Sequence, residues 1–133
     1  MRERRAPASR RTGLVAALAE VPADDEAALA RALRRLRART MLTLVHRDLA
    51  GEASLDEVVR TVSDLAEVAV AAAADHAHRA LAPVHGDPAG GDRLLVVGMG
   101  KLGGRERNVS SDVDLVFLHP SDAETAGPRP VSH

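Results

Sequence analysis

The fold is decided by residues 94–118, LLVVGMGKLGGRERNVSSDVDLVFL, in which a glycine-rich turn separates two apolar segments. The short apolar run Leu94–Val97 predicts a buried β-strand. Asp112–Leu118 predicts a second strand, which is apolar on both faces beyond Asp114 and therefore central in a sheet. Because side chains alternate along a strand, Asp112 and Asp114 should project from one face, with Cα atoms roughly 7 Å apart.

The Asp112 and Asp114 carboxylates have the chemistry of a magnesium site. Mg²⁺ takes oxygen ligands, and proteins usually hold it with one or two carboxylates together with substrate phosphates. Two such ions roughly 4 Å apart could stabilise the attacking and leaving oxygens of an in-line phosphoryl transfer. The pair is therefore predicted to act as catalytic metal ligands. Isolated Asp-x-Asp pairs are common, and two aspartates that merely cap a strand would give the same pattern.

The residues before this pair favour a phosphate-binding turn. Gly103 and Gly104 have no side chains, so the backbone can approach a triphosphate and its N–H groups can donate to phosphate oxygens. Ser110 or Ser111 can add a hydroxyl group to such a site. Lys101 can add a positive charge, although a lysine in an exposed turn more often only improves solubility.

Two well-known glycine motifs do not fit the same residues. The first three glycines of the turn have dinucleotide-binding spacing, but residues 105–111 are too few for the crossover helix of a dozen or more residues that a Rossmann unit needs. A P-loop requires a glycine five residues before its Gly-Lys pair and a hydroxyl residue after the lysine. Leu95 and Leu102 stand at those two positions.

The upstream sequence predicts two antiparallel helices. The first extends from Asp24 to about His46, and Gly51 then breaks its pattern. A capping box at Ser54 and Glu57 begins the second helix, and the alanines of Ala71–Ala74 allow a close approach between the two. The apolar positions of the first helix are Leu29, Leu33, Leu36, Met41 and Leu44. Those of the second are Leu55, Val58, Val59, Val62, Leu65, Val68 and Ala69.

Composition narrows the classes of function. The chain has 133 residues and no cysteine, which suits one cytoplasmic domain or part of one and excludes disulfides. No segment approaches the ~20 apolar residues of a membrane span, so no membrane contact is expected. A net charge of -1 and a single aromatic residue, Phe117, argue against a nucleic-acid partner. Arginines such as Arg35 and Arg39 could bind an acidic ligand, although charge runs usually face water.

Five parts are expected along the chain. They are a partly disordered N-terminal extension (1–23), a helical hairpin (24–82), a linker rich in proline and glycine (83–92), a core segment with both strands (93–120) and a disordered tail (121–133). The predicted fold class is α+β. Two strands make only a marginal sheet, so the chain is expected to be truncated.

The run GMGKLGGRERNVSSDVDLVFLHP (98–120) resembles the nucleotidyltransferase signature of the glutamate–ammonia-ligase adenylyltransferases, bifunctional enzymes of nitrogen assimilation. The resemblance is greater to their N-terminal, adenylyl-removing half, because of Gly98-Met99-Gly100, Asn108 and Ser110-Ser111. Similar segments upstream extend the resemblance over about Leu29 to Pro120. They are residues 33–37, 47–51 and 65–66.

This resemblance implies a DNA polymerase β-like nucleotidyltransferase domain, of which the chain holds the first strands after the helical hairpin. It implies that Asp112 and Asp114 bind Mg²⁺ and that Gly103, Gly104 and Ser111 line the nucleotide site. Family members use ATP to adenylylate a tyrosine of glutamine synthetase, and phosphate to remove the AMP again, which gives ADP. Glutamine synthetase and a regulatory PII-type signalling protein are the implied partners.

Some residues depart from the family pattern. Arg107 stands where an apolar residue is usual, and Val109 where an aromatic residue is frequent, so the turn could pack differently. A third carboxylate normally follows on a later strand, and nothing after Pro120 matches its segment. The chain alone is therefore expected to be weak or inactive. A non-catalytic interaction module and a nucleotidyltransferase with another substrate are the competing interpretations.

Overall fold

A computed structural model describes residues 7–18, 21, 22, 24–88, 91, 93–119 and 124–131, with residues 7–10 described for their backbone alone. The elements in chain order are α1 (Pro7–Ala16), α2 (Glu26–Leu49), α3 (Leu55–His85), β1 (Leu95–Gly98), α4 (Gly100–Gly103) and β2 (Leu115–Leu118). Three helices followed by a small antiparallel sheet confirm the α+β class. None of the described helices has the length and apolar character that crossing a bilayer demands.

Helix α2 begins where the sequence supplies a cap. The Asp25 carboxylate accepts a hydrogen bond from the Ala28 N–H at 2.7 Å, which satisfies one of the free donors of the first turn. The helix ends at Leu49, three residues beyond the predicted end, and Gly51 reverses the chain with a φ of 67°. Its buried side chains are Leu29, Leu36 and Leu44, all of them predicted apolar positions.

Helix α3 begins at the predicted cap. The Ser54 hydroxyl accepts a hydrogen bond from the Glu57 N–H at 3.2 Å. The Glu57 carboxylate in turn accepts hydrogen bonds from the Arg47 guanidinium near the end of α2. Because Arg47 also donates to the Glu52 carbonyl at 3.1 Å, one side chain fastens the loop that joins the two helices.

The core lies between α2 and α3, and α1 packs against α3. The contact between Arg47 and Glu57 joins the end of α2 to the start of α3, while Leu29, near the start of α2, lines a cavity together with Val68 of α3. The two helices are therefore antiparallel, as predicted. Four apolar side chains of α3 are buried, namely Val62, Leu65, Ala66 and Val68. Leu55 is 78% exposed, so its predicted place in the apolar face is wrong.

Helix α3 extends further than the sequence predicts. The linker was expected to begin at Pro83, but the helix includes this proline and ends at His85. A proline near the end of a helix removes one backbone donor without removing the bonds made by the residues after it. The Gly86 N–H accordingly donates to the Ala82 carbonyl at 2.8 Å. The connection to the sheet therefore begins at Gly86.

Strands β1 and β2 pair antiparallel, from Leu95 opposite Leu118 to Gly98 opposite Leu115. The first strand lies one residue later than predicted, and the second begins three residues later. Within the described part of the chain, β2 pairs with β1 alone, and Phe117 is 59% exposed. The prediction of a central strand is therefore wrong for that part, because the apolar residues of β2 are not covered by another layer there.

Residues 124–131 lie against the end of α3. The Gly127 N–H donates to the His85 carbonyl at 2.9 Å, and the Arg129 N–H donates to the Val84 carbonyl at 3.0 Å. A Cβ atom at Gly127 would overlap the His85 backbone, so this approach requires glycine. The sequence predicts a disordered tail here, whereas the structure gives residues 124–131 defined hydrogen bonds. Residues 121–123, 132 and 133 of that predicted tail lie outside the described residues.

Candidate functional site

The glycine-rich turn contains one turn of helix, α4, directly after β1. Gly100 has a φ of 53°, a conformation that glycine adopts without strain. A Cβ atom at Gly103 would lie 2.5 Å from the Gly98 carbonyl oxygen, so no larger residue fits there without a shift. The structure therefore gives Gly103 a packing role in the turn. Its predicted role in approaching a nucleotide stays a prediction.

The two aspartates lie immediately before β2 rather than within it. The sequence predicts a strand from Asp112, but the strand begins at Leu115, because pairing with β1 ends at Gly98. The ladder is continued by one further bond, from the Met99 N–H to the Asp114 carbonyl at 2.9 Å. Asp112 and Asp114 are exposed, while Val113 between them is half-buried. This alternation is what an extended backbone produces when both carboxylates lie on one side.

Both carboxylates are available to a ligand. Within the described residues, neither Asp112 nor Asp114 has a hydrogen bond or an ion pair through its side chain. Two exposed carboxylates with hard oxygen donors fit Mg²⁺, which accepts further ligands from water and phosphate. The described part of the chain has no cluster of three or more acidic, histidine or cysteine side chains that could hold a metal by itself.

Ser111 and Lys101 differ in their surroundings. The Ser111 hydroxyl donates to the Asn108 side-chain oxygen, and its carbonyl accepts from the Arg107 guanidinium, so Ser111 is held within the turn. Lys101 is exposed on α4. Among the described hydrogen bonds, the Met99 bond to Asp114 joins the turn to the aspartates, and none joins Lys101 or Ser111 to either carboxylate.

Three residues that carry no recognisable motif in the sequence hold the turn in place. Asp64 on α3 is only 3% exposed, and its carboxylate accepts a hydrogen bond from the Arg105 guanidinium. Ser63 is fully buried, and its hydroxyl accepts from the Arg107 N–H at 3.1 Å and donates to the Val59 carbonyl at 2.8 Å. In the sequence, the one sign of these contacts is that the polar residues Ser63 and Asp64 interrupt the apolar positions of α3.

Arg107 therefore contacts the helix through its backbone. The resemblance leads us to expect an apolar side chain in place of Arg107, but the N–H that bonds Ser63 belongs to every residue except proline. Its guanidinium adds a bond to the Ser111 carbonyl within the same turn. The expectation that this substitution alters packing stays a prediction.

Comparisons with known proteins cover most of the chain. The sequence model of the family described as glutamate-ammonia ligase adenylyltransferase matches residues 1–132. The bifunctional glutamine synthetase adenylyltransferase/adenylyl-removing enzyme of Thioalkalivibrio sulfidiphilus is 50% identical over 115 residues, covering 84% of this chain and 12% of that enzyme. The enzyme of the same name from Chromobacterium violaceum is 51% identical over 123 residues, covering 88% of this chain and 14% of that enzyme. The chain thus spans 12% and 14% of the lengths of these two relatives.

Proposed function

The chain belongs to the glutamate-ammonia ligase adenylyltransferase family, and from this premise we propose that it carries part of a nucleotidyltransferase site. The reaction is the transfer of AMP to a tyrosine of glutamine synthetase, or its removal, which regulates nitrogen assimilation. The observation that supports this proposal is the exposed pair Asp112 and Asp114. Its carboxylates are free within the described residues, and a backbone bond from Met99 to Asp114 joins the pair to the glycine turn.

Each site residue has a separate part in this proposal. Asp112 and Asp114 hold Mg²⁺, which when bound offsets the negative charge of the phosphates. Gly103 and Gly104 have no side chains, so the phosphates of ATP or ADP can approach the backbone of the turn closely. The N–H groups of these two glycines already donate to the Met99 and Gly100 carbonyls within the turn. Lys101 adds a positive charge from the exposed side of α4. Ser111 contributes its hydroxyl group. Asn108 and Arg107 hold the turn that carries it in shape.

The partners are proposed from the resemblance to the family and concern proteins of the relatives' full length. We assign glutamine synthetase as the protein substrate and a PII-type protein as the regulator, with the cytoplasm as the place of action. A third carboxylate, which the family pattern expects beyond this chain, completes the metal site. The chain by itself is therefore expected to bind Mg²⁺ and nucleotide more readily than to catalyse transfer.

Calorimetric titration of the chain with ATP or ADP, in the presence and absence of Mg²⁺, tests the metal site. Metal-dependent binding should disappear in the double variant Asp112→Asn/Asp114→Asn, because amides replace both carboxylate ligands. The matched control is Asp56→Asn/Asp87→Asn, which changes two exposed aspartates outside the turn. Equal metal-dependent binding by the first double variant and the wild type would overturn the assignment.

An interaction module without catalysis is the second candidate. It is favoured by the exposed apolar residues of the sheet, where Leu95 is 54% and Phe117 is 59% exposed. Such a module should associate with the downstream part of a relative without restoring activity. Restored formation of ADP from adenylylated glutamine synthetase and phosphate would exclude it. If the association restored nucleotide chemistry with no action on glutamine synthetase, a different substrate would be indicated.

A further inference from the structure

The middle of α3 carries two buried polar side chains that contact the turn rather than the helical core. Ser63 has no exposed surface, and its hydroxyl accepts the Arg107 N–H at 3.1 Å. Asp64 follows at 3% exposure and accepts from the Arg105 guanidinium. A buried carboxylate is costly unless it is paired, so these contacts explain why two polar residues are retained at this point of α3.

Arg105 has an unusual backbone for its side chain. Its φ is 58°, and in the described part of the chain it is the one residue other than glycine with a positive φ. Glycine adopts this conformation at a lower free-energy cost, so the backbone conformation alone would favour glycine at this position. The arginine side chain supplies what glycine cannot. It bonds Asp64, and its Nε lies 3.6 Å from Glu67 Oε1.

The same contacts continue from the turn to the aspartates. The Arg107 N–H is fixed on Ser63, and the Arg107 guanidinium donates to the Ser111 carbonyl, which belongs to the peptide bond preceding Asp112. Helix α3 is thus linked by successive hydrogen bonds to the residue next to the candidate metal ligands. The segment from Arg105 to Ser111 has no helix or strand of its own, so these bonds restrict where it can lie.

We propose that Ser63, Asp64 and Arg105 are positioning residues, which hold Asp112 and Asp114 in a fixed orientation relative to the glycine turn. The effect of this positioning on metal and nucleotide binding rests on the proposed function. The positioning itself is a property of the chain without ligand. It can therefore be measured separately.

Amide hydrogen exchange of the ligand-free chain tests the positioning. The Met99 N–H donates to the Asp114 carbonyl and so reports whether the aspartate segment stays against the turn. Its exchange should become ~10-fold faster in Asp64→Asn and in Arg105→Gly, a factor that corresponds to the loss of one charge-assisted hydrogen bond. Asp56→Asn is the control, since Asp56 pairs with Arg60 on an exposed turn of α3. The Leu65 amide, in the helical core, reports any change in global stability, and the Met99 amide should change by more than the Leu65 amide in both variants.

The glycine variant separates side-chain positioning from backbone shape. If the turn needed only its positive φ, Arg105→Gly would keep the wild-type rate of Met99 exchange, because glycine adopts φ 58° freely. Positioning through the side chain predicts that Arg105→Gly is as fast as Asp64→Asn. The double variant should be no faster than Arg105→Gly, because that variant already removes the contacts of Arg105 with both Asp64 and Glu67. Wild-type exchange in Arg105→Gly would overturn the proposal, and it is informative even if Asp64→Asn is poorly folded.

Nucleotide binding gives the second measurement. With Mg²⁺ present, affinity for ATP or ADP should fall ~10-fold in Arg105→Gly, measured well below the midpoint of thermal unfolding, which itself falls because Asp64 is left without its partner. Unchanged affinity in a variant whose Met99 amide exchanges faster would overturn the positioning role but leave the proposed function intact. If the wild type itself binds no nucleotide, the proposed function fails, and the exchange result alone supports or overturns the positioning.

Discussion

The helical hairpin and the two-stranded sheet bury their apolar residues to very different extents. In the hairpin, Leu44 is 5% and Val68 is 3% exposed, whereas in the sheet Leu95 is 54% and Phe117 is 59% exposed. A helix makes its backbone hydrogen bonds internally and needs only one neighbour to cover its apolar stripe. A strand needs further strands at its edge and layers on its faces. Within the described residues, the helices have the neighbour that they need, whereas the two strands lack further strands and covering layers.

The largest effect should follow a change in the hairpin core. Leu44→Ala should lower the free energy of unfolding by about 2–5 kcal/mol, because it removes buried methyl groups and leaves a cavity. Leu42→Ala on the same helix, at a residue that is 73% exposed, should change it by less than about 0.5 kcal/mol. Urea unfolding followed by circular dichroism measures both. Equal losses would mean that the two faces of α2 are equally buried in solution.

A smaller effect is expected in the sheet. Phe117→Ala should change the free energy of unfolding by less than about 1 kcal/mol, because most of the ring already contacts water. The same urea experiment gives the value, with Leu44→Ala as the reference for a buried site. A loss of several kcal/mol would show that the chain covers this ring in solution, and the contrast between the two regions would then disappear.

The smallest effect concerns the ion pair that joins the two regions. A hydrogen bond from Arg93, just before β1, lowers the pKa of Asp75 on α3, and the nearby Arg79 lowers it further. A carboxyl group with a lowered pKa in the folded state stabilises the protein above its unfolded pKa of about 3.9. This contribution is lost as the pH falls through the folded pKa.

Asp75→Asn should therefore be slightly less stable than the wild type at about pH 7 and equally stable at about pH 2. Urea unfolding at both pH values measures the difference. Asp48→Asn, at another exposed aspartate, should follow the wild type at each pH. A difference between Asp75→Asn and the wild type that persisted in acid would point to a cause other than the charge of Asp75.

Helices α2 and α3 were largely predictable because their signals are local, whereas α1 lies in the predicted N-terminal extension and was not predicted. The spacing of Leu29, Leu36 and Leu44 identified the buried face of α2, and Ser54 identified the start of α3. The end of α3 was less predictable, because the tolerance of Pro83 depends on how the helix end is bonded rather than on the proline alone. Periodicity located these elements correctly but placed their ends only approximately.

The candidate site was predictable only in part. The two aspartates and the glycine turn stand close together in sequence, so their spacing could be judged directly. Arg105 and Asp64 are 41 positions apart in the sequence. Neither residue type indicates which distant residue it contacts, so this contact could not be predicted. Strand length also depends on the partner strand, which is why β2 begins at Leu115 although the predicted strand begins at Asp112.

The packing of residues 124–131 against the end of α3 has a mechanical consequence. The chain leaves α3 at Gly86 and returns to it through the bridge between Pro88 and Thr125 and the bond from Arg129 to Val84. The point of departure and the point of return are therefore adjacent. A pulling force applied at Val131 would load these bonds before it reached β2. Such a force would be passed first to the end of α3, and to the sheet and its aspartates only after these contacts had broken.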